Sequence, residues 1–392
     1  MLRDLLRTAL PLIALATAPG AWAQAPADPQ PYRLTVIVSE LGPAAARGVL
    51  ERRVTEAWAA RSAGLGGVYG RALDVRVVGD AGTPERAVRA ARDAIDAGAH
   101  ALVCCSTAAA TTQVAPVAAG AGVPLLSPTA GGVDDAAGWQ FVLAPDEATH
   151  LQAIVRDAYA RGLNRLGMMT LEGPFGDTAV ERLRGFMGVP ELQLVGEARY
   201  PADATVLTPE ALWVATREPS AIVVWGLRAD TAVAVEGLRA RGWDGPVYLR
   251  AALLDPLAGG LPRGLSGDVR VPVSPASLPS AVGDSDLAAS WIFDARALGD
   301  GRLESRPYLA DGAIVHDALE LARRALEQAA SYGVDPANLR GFRLALRDAL
   351  VTLPETTLAA GTYDLTMDST SAALAQGLTM ARLVAGRLEP LR

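Results

Sequence analysis

The chain repeats one unit: a short apolar, β-branched run, a turn, and then a longer stretch whose apolar residues recur at helical spacing. Residues 33–38 read as a strand, 44–62 as a helix and 73–78 as a strand. Residues 84–97 form a helix with Thr83 as its N-cap, and 101–105 are again a strand. A helix over 108–121 and an apolar strand over 123–126 close the first series. Strands that are apolar throughout, rather than on alternate residues, belong to a parallel sheet covered on both faces. Such sheets take their ligands at the carboxyl ends of the strands.

A second series follows Pro145, with helices at 147–161, 178–187, 209–216 and 231–241 and strands at 165–170, 192–198, 221–225 and 247–249. At 392 residues the chain is about two to three times a common single domain, so two doubly wound α/β lobes are the expected architecture. Residues 268–272 read as an extended connection. The helices at 285–298, 310–331 and 339–350 have no strands of their own and are expected to cover the sheet of the first lobe. Late strands at 361–365 and 380–384 would complete the second.

Half of the residues are apolar and 20% are charged, a balance that fills large cores and excludes a disordered chain. All 36 basic residues are Arg and they face 43 acidic ones, a formal net charge of −7 that disfavours nucleic acid as a partner. Residues 1–23 stand apart: Arg3 and Arg7 open them, 9–18 are apolar, and Ala21-Trp22-Ala23 is a small-x-small cleavage site. That pattern is a secretory signal peptide cleaved after Ala23, followed by a Pro-rich leader over 24–31. The apolar run is well short of the roughly 20 residues a bilayer span needs, and no later segment supplies one.

Little in the chain points to chemistry. Cys104 and Cys105 are adjacent in a strand-like run, where neighbouring side chains face apart, so two buried free thiols are expected. His100, His150 and His316 have no partners at ligand spacing, so no metal site is assigned. Gly64-x-Gly66-Gly67-x-x-Gly70 follows a helix and precedes a strand, the reverse of a dinucleotide turn. No nucleophile elbow or phosphate loop is present, and Asp134 and Asp135 read as surface charge beside Gly131 and Gly132. No catalytic residue and no cofactor are assigned. By contrast, Ser106 and Thr107 stand at the carboxyl end of one buried strand and Ser127-Pro128-Thr129 at the end of the next. Hydroxyls beside the free N–H groups of a helix start suit a polar or anionic ligand, and they also serve as plain N-caps.

Several runs resemble one family. They are RALDVRVVGDAGTPERAV (71–88), GAHALVCCST (98–107), APVAAGAGVPLLSP (115–128), FVLAPDEA (141–148) and GPFGDT (173–178). In order and spacing they resemble the type I periplasmic solute-binding proteins of ABC importers, the leucine/isoleucine/valine-binding group, over nearly the whole chain after the leader. The resemblance implies two Rossmann-like lobes with parallel sheets, joined by three hinge crossings near 140–145, 269–275 and 354–363. The first lobe would comprise 32–142 plus 273–355, and the second 143–272 plus 356–392. It further implies a monomeric periplasmic protein that traps a small ligand between the lobes and delivers it to an ABC permease in the inner membrane. Ser106 matches a family Ser that holds the ligand, Thr129 lies where further first-lobe contacts arise, and Phe175 matches an aromatic that covers the ligand.

The departures from the pattern are as informative. Leu227-Arg228 stand where the resemblance implies an aromatic, and Arg250-Ala251 where it implies an ammonium-binding Glu. A guanidinium would repel an ammonium and would pair with a carboxylate. The ligand-binding set expected is therefore Ser106, Thr107, Thr129, Phe175, Arg228 and Arg250, for an amino acid or an organic carboxylate; the other reading leaves both arginines on the rim, pointing to water. The family's disulfide has no counterpart, because Gly82 stands near the place of its first Cys. A periplasmic sensor of the same fold, and a degenerate interaction module, are the alternatives.

Overall fold

The computed structural model describes residues 30–131, 138–255, 265–278, 308–366, 371–384 and 386–391, with the Arg228 side chain excepted. The signal segment, the helix expected over 285–298 and the pair Asp134–Asp135 lie outside the described residues.

The first sheet has five parallel strands, β1 (Tyr32–Val38), β2 (Leu73–Gly79), β3 (Ala101–Cys104), β4 (Leu125–Ser127) and β5 (Gln140–Val142), in the order β2-β1-β3-β4-β5. Helices α1 (Ala45–Gly64), α2 (Pro84–Asp96) and α3 (Ala108–Gly120) connect them. The two caps at these helix starts follow from sequence: the Thr83 side chain accepts from the Arg86 N–H and that of Thr107 from the Ala110 N–H. Further along the chain, α8 (Leu309–Ser331) packs on α1 and on α9 (Leu339–Val351). The core there joins Leu34, Val36, Trp58, Leu319, Phe342 and Leu346, all at most 1% exposed.

The second lobe repeats the topology. After α4 (Glu147–Ala160) come β6 (Arg165–Leu171), α5 (Pro174–Phe186), β7 (Gln193–Tyr200), α6 (Thr208–Ala215), β8 (Ala221–Trp225), α7 (Arg228–Ala240), β9 (Val247–Leu249) and β10 (Val269–Val273). The parallel order β7-β6-β8-β9-β10 matches that of the first sheet. In each lobe the helix after the leading strand starts pressed against that strand's end. A Cβ at Gly48 would collide with the Ser39 carbonyl, and one at Gly176 with the Leu171 carbonyl.

Three differences from the sequence reading concern strands. Residues 269–273 are a full sheet strand, β10, and not merely a connection. A short three-stranded sheet of β11 (Thr356–Thr357), β12 (Thr362–Tyr363) and β13 (Ala373–Leu374) stands apart from both large sheets. Its Tyr363 and Ala373 belong to the core beneath α8, so residues 361–365 do not extend the second sheet. That sheet is completed by antiparallel β14 (Thr379–Val384), which coincides with the late strand expected over 380–384, and by β15 (Arg387–Pro390), which the sequence reading did not include.

The backbone passes between the lobes after β5, after β10 and after α9. The first and third passages are tied together: the Ala372 N–H donates to the Val142 carbonyl (2.7 Å) and the Ser371 hydroxyl to the Ala144 carbonyl (2.8 Å). Among the described residues, no helix is long and apolar enough to cross a membrane.

Candidate functional site

Residues just beyond the carboxyl ends of β3, β4 and β5 and of β9 and β10 line one cleft of about 1250 Å³. In the first sheet the strand order reverses between β1 and β3, and that reversal opens a crevice beyond their ends. Thr107, Ala108, Pro128 and Thr129 form one wall, and Ala251, Ala252 and Asp255 stand opposite. Glu147 and His150 come from α4, Tyr308 and Asp311 from the start of α8, and Ser274 and Tyr363 from the segments that pass between the lobes.

Of the residues expected from sequence, Thr107 and Thr129 are brought together at the cleft. The Thr129 hydroxyl donates to the Cys105 carbonyl (3.0 Å) and lies 2.9 Å from the Thr111 hydroxyl, whose own oxygen is 3.1 Å from the Thr107 carbonyl. Ser106 is one layer behind them. It is fully buried, its hydroxyl donates to Glu51, and its oxygen accepts the Ser39 N–H at 2.9 Å. Ser39 in turn donates to Asp80 (2.7 Å), so the end of β1 is knitted to the turn after β3 by a polar chain.

Arg250 neither clamps the cleft nor points to water. It forms a paired contact with Glu147, with Nε at 2.9 Å from both carboxylate oxygens and Nη2 at 2.8 Å from Oε1, and it lies 5.2 Å from the centre of the Phe175 ring. Phe175 and Arg250 thus meet each other within the second lobe. Arg228 opens α7, and its side chain lies outside the described residues. Cys104 and Cys105 are joined by a disulfide and are not free thiols. The strand ends at Cys104, so the extended geometry that would turn the two side chains apart does not hold through Cys105.

One cation lining this cleft, Arg47, is a residue the sequence reading missed. Arg47, in the first turn of α1 and 9% exposed, donates from Nη1 to the Ser106 carbonyl (3.0 Å). Its Nη2 is 3.1 Å from Asp311 and 3.5 Å from Asp255, and its guanidinium lies 5.1 Å from the Tyr308 ring centre. Burial pushes the Glu51 carboxyl up to about 7, with the charges of Asp311 and Asp80 adding to the rise and the Ser106 hydrogen bond and Arg47 opposing it. Asp311 is pushed up to about 6, again chiefly by burial, with Asp255 adding and Arg47 opposing. Burial lowers His150, which keeps that imidazole neutral. A signal was available in the spacing: Arg47, Glu51 and Thr55 recur every four residues and share the buried face of α1 with Leu50, Val54 and Trp58. Charged residues inside an apolar helical stripe mark a polar network in the interior. Among the described residues, no cluster of side chains suited to a metal ion occurs.

The arrangement suits capture of a polar molecule: a two-walled cleft with hydroxyls on one side, a fixed guanidinium, and carboxylates on both lobes. Comparison with known proteins agrees. Residues 31–386 match the family model described as periplasmic binding protein. No protein with a curated description matches the sequence. A solved structure from Rhodospirillum rubrum, assigned to branched-chain amino acid ABC transport, superposes with a TM-score of 0.71 at 21% identity, covering 92% of this chain and 100% of that one. The branched-chain amino acid substrate-binding protein LivJ from Streptococcus pneumoniae, solved with isoleucine, gives a TM-score of 0.59 at 16% identity over 92% and 98% of the two chains. An extracellular ligand-binding receptor from Rhodopseudomonas palustris HaA2 gives 0.63 at 20% identity over 93% and 100%. At these identities the neighbours bear on the fold, while the family match covers residues 31–386, from β1 through β14, and the chain belongs to the type I periplasmic binding protein family.

Proposed function

We propose that the chain is exported through its N-terminal signal, cleaved after Ala23, and acts in the periplasm as a monomer that captures a small polar ligand and hands it to an ABC permease in the inner membrane. Nucleic acid has no part in this reading. The ligand is an amino acid or an organic carboxylate. The observation that carries the reading is the cleft of about 1250 Å³ with polar walls supplied by both lobes. Thr107 and Thr129 make the first-lobe contacts directly, while Ser106 acts from behind by holding the turn that presents them. On the second lobe Phe175 and Arg250 form a braced unit with Glu147, and Arg228 stands at the start of α7. The cleft exceeds the roughly 300–1,000 Å³ of common small-molecule pockets, so its size admits ligands larger than a free amino acid. Contacts to both lobes favour the closed form, and only that difference in affinity drives closure.

The test is a thermal-shift screen of residues 24–392 against amino acids, aliphatic and aromatic carboxylates, amides and sugars. A ligand at about 100 times its dissociation constant stabilises the native state by about 2.7 kcal/mol, which moves the midpoint by several degrees. Hits confined to amino acids or carboxylates support the reading. Silence across the library, or hits confined to sugars, overturns it.

A further inference from the structure

Arg47 belongs to the first lobe and Asp255 to the second, and their contact crosses the cleft at 3.5 Å. Arg47 is fixed before it reaches Asp255: the Ser106 carbonyl and Asp311 hold its two terminal nitrogens, and the Tyr308 ring lies 5.1 Å away. An ion pair between two freely rotating side chains loses most of its Coulomb gain to ordering and solvent screening. Here the ordering has already been done inside the first lobe, and the Arg47 side chain is only 11% exposed, which weakens the screening. Asp255 ends the 3-10 turn Ala251–Leu254 that follows β9, so it moves with the second sheet. Separation of the lobes would remove Asp255 from Arg47 and leave Asp311 in place.

We infer that Arg47 and Asp255 form a latch that favours the closed arrangement of the lobes before any ligand binds, with Asp311 and the Ser106 carbonyl as its fixed seat. The inference rests on the reading of the cleft as the place where the lobes close. It has a consequence for binding: a ligand anion placed at Arg47 competes with Asp255, and a ligand cation placed at Asp255 competes with Arg47. The latch therefore lowers the affinity difference a ligand must supply for closure and disfavours ligands that break it without replacing it.

The experiment is made on the ligand-free mature chain, with spin labels on cysteines introduced at two exposed helical positions, Arg92→Cys in α2 and Arg182→Cys in α5. Pulsed dipolar spectroscopy reads the inter-lobe distance distribution. Asp255→Asn, a near-isosteric change at a partly exposed site, is expected to reduce the closed population several-fold. Arg47→Met is expected to do the same, and the double variant no more than either. About 1 M salt should shift the wild type in the same direction and leave Asp255→Asn unmoved. An unchanged distribution in a folded Asp255→Asn variant, or a salt shift that survives that substitution, overturns the latch. Because no ligand is present, either result is independent of the ligand screen, and ligand capture can stand without the latch.

Discussion

The hydroxyl of Ser106 donates its one proton to Glu51 while its oxygen accepts the Ser39 N–H, so the residue that sequence places first among ligand contacts is spent on joining β3 to α1 and β1. Both partners are buried. Ser106→Ala leaves a buried carboxylate and a buried N–H without this bond, a loss of about 1–3 kcal/mol. Urea denaturation should show that loss. Ligand-induced stabilisation, measured against the variant's own midpoint, should stay close to that of the wild type. A variant of wild-type stability with abolished binding would instead make Ser106 a direct contact.

Glu51 gives the fold a pH dependence of unusual sign. Its carboxyl titrates near 7 in the native state against an ordinary value of 4.5, so between those values the native state binds more protons than the unfolded chain. Its contribution to stability is therefore fully present below about 4.5 and is lost as pH rises toward 7. At about 1.4 kcal/mol per unit, the change across that window is on the order of 3 kcal/mol. Glu51→Gln keeps the shape and removes the titration. Denaturation midpoints followed from pH 4.5 to 7.5 should fall less steeply for Glu51→Gln than for the wild type; parallel profiles would count against a raised Glu51.

Most of the architecture was legible because periodicity and capping are local. Strands 221–225 and 247–249 coincide with β8 and β9, and the Thr83 cap and the α8 and α9 helices lie where the pattern puts them. Thr107 and Thr129 were legible for the same reason, since each sits at a strand end that its own segment defines. What escaped was long-range. The partner of Arg250 is 103 residues away in Glu147, and Arg47 meets Asp311 and Asp255 only after three segments fold together. Short strands such as β5, with three residues, and β11 to β13, with two each, carry too few residues to show a period.

The Arg250–Glu147 pair is expected to brace the second-lobe wall rather than bind. Glu147 lies in the first turn of α4, where a carboxylate also suits the helix dipole. Side chains 19% and 35% exposed place the pair between a surface bridge and a buried one, so a double-mutant cycle with Arg250→Ala and Glu147→Ala should return a coupling of about 0.5–1 kcal/mol. The thermal shift produced by the best ligand in the screen should change little in Arg250→Ala. A loss of affinity beyond about tenfold with unaltered stability would place the guanidinium on the ligand instead.

Asp317 fixes the third passage between the lobes. Fully buried in α8, it accepts the Ala359 N–H at 3.1 Å, the Ala360 N–H at 2.7 Å and the Tyr363 hydroxyl at 3.0 Å, with His316 Nδ1 at 3.4 Å. Burial raises its carboxyl and these donors oppose the rise. Ala360 and Tyr363 line the cleft, so one carboxylate sets the backbone of a cleft wall from within the first-lobe core. Asp317→Ala strands two backbone donors and a phenol in an apolar interior, a destabilisation of about 3–5 kcal/mol if no water enters. Asp317→Asn keeps an acceptor oxygen and should lose less. The decisive readout is amide hydrogen exchange over residues 356–365: protection should drop most in Asp317→Ala, partly in Asp317→Asn, and change far less in the distant strands β6 and β8. Uniform loss across the chain would reduce Asp317 to a general core residue, whereas loss confined to the passage makes it the group that sets the geometry of the hinge.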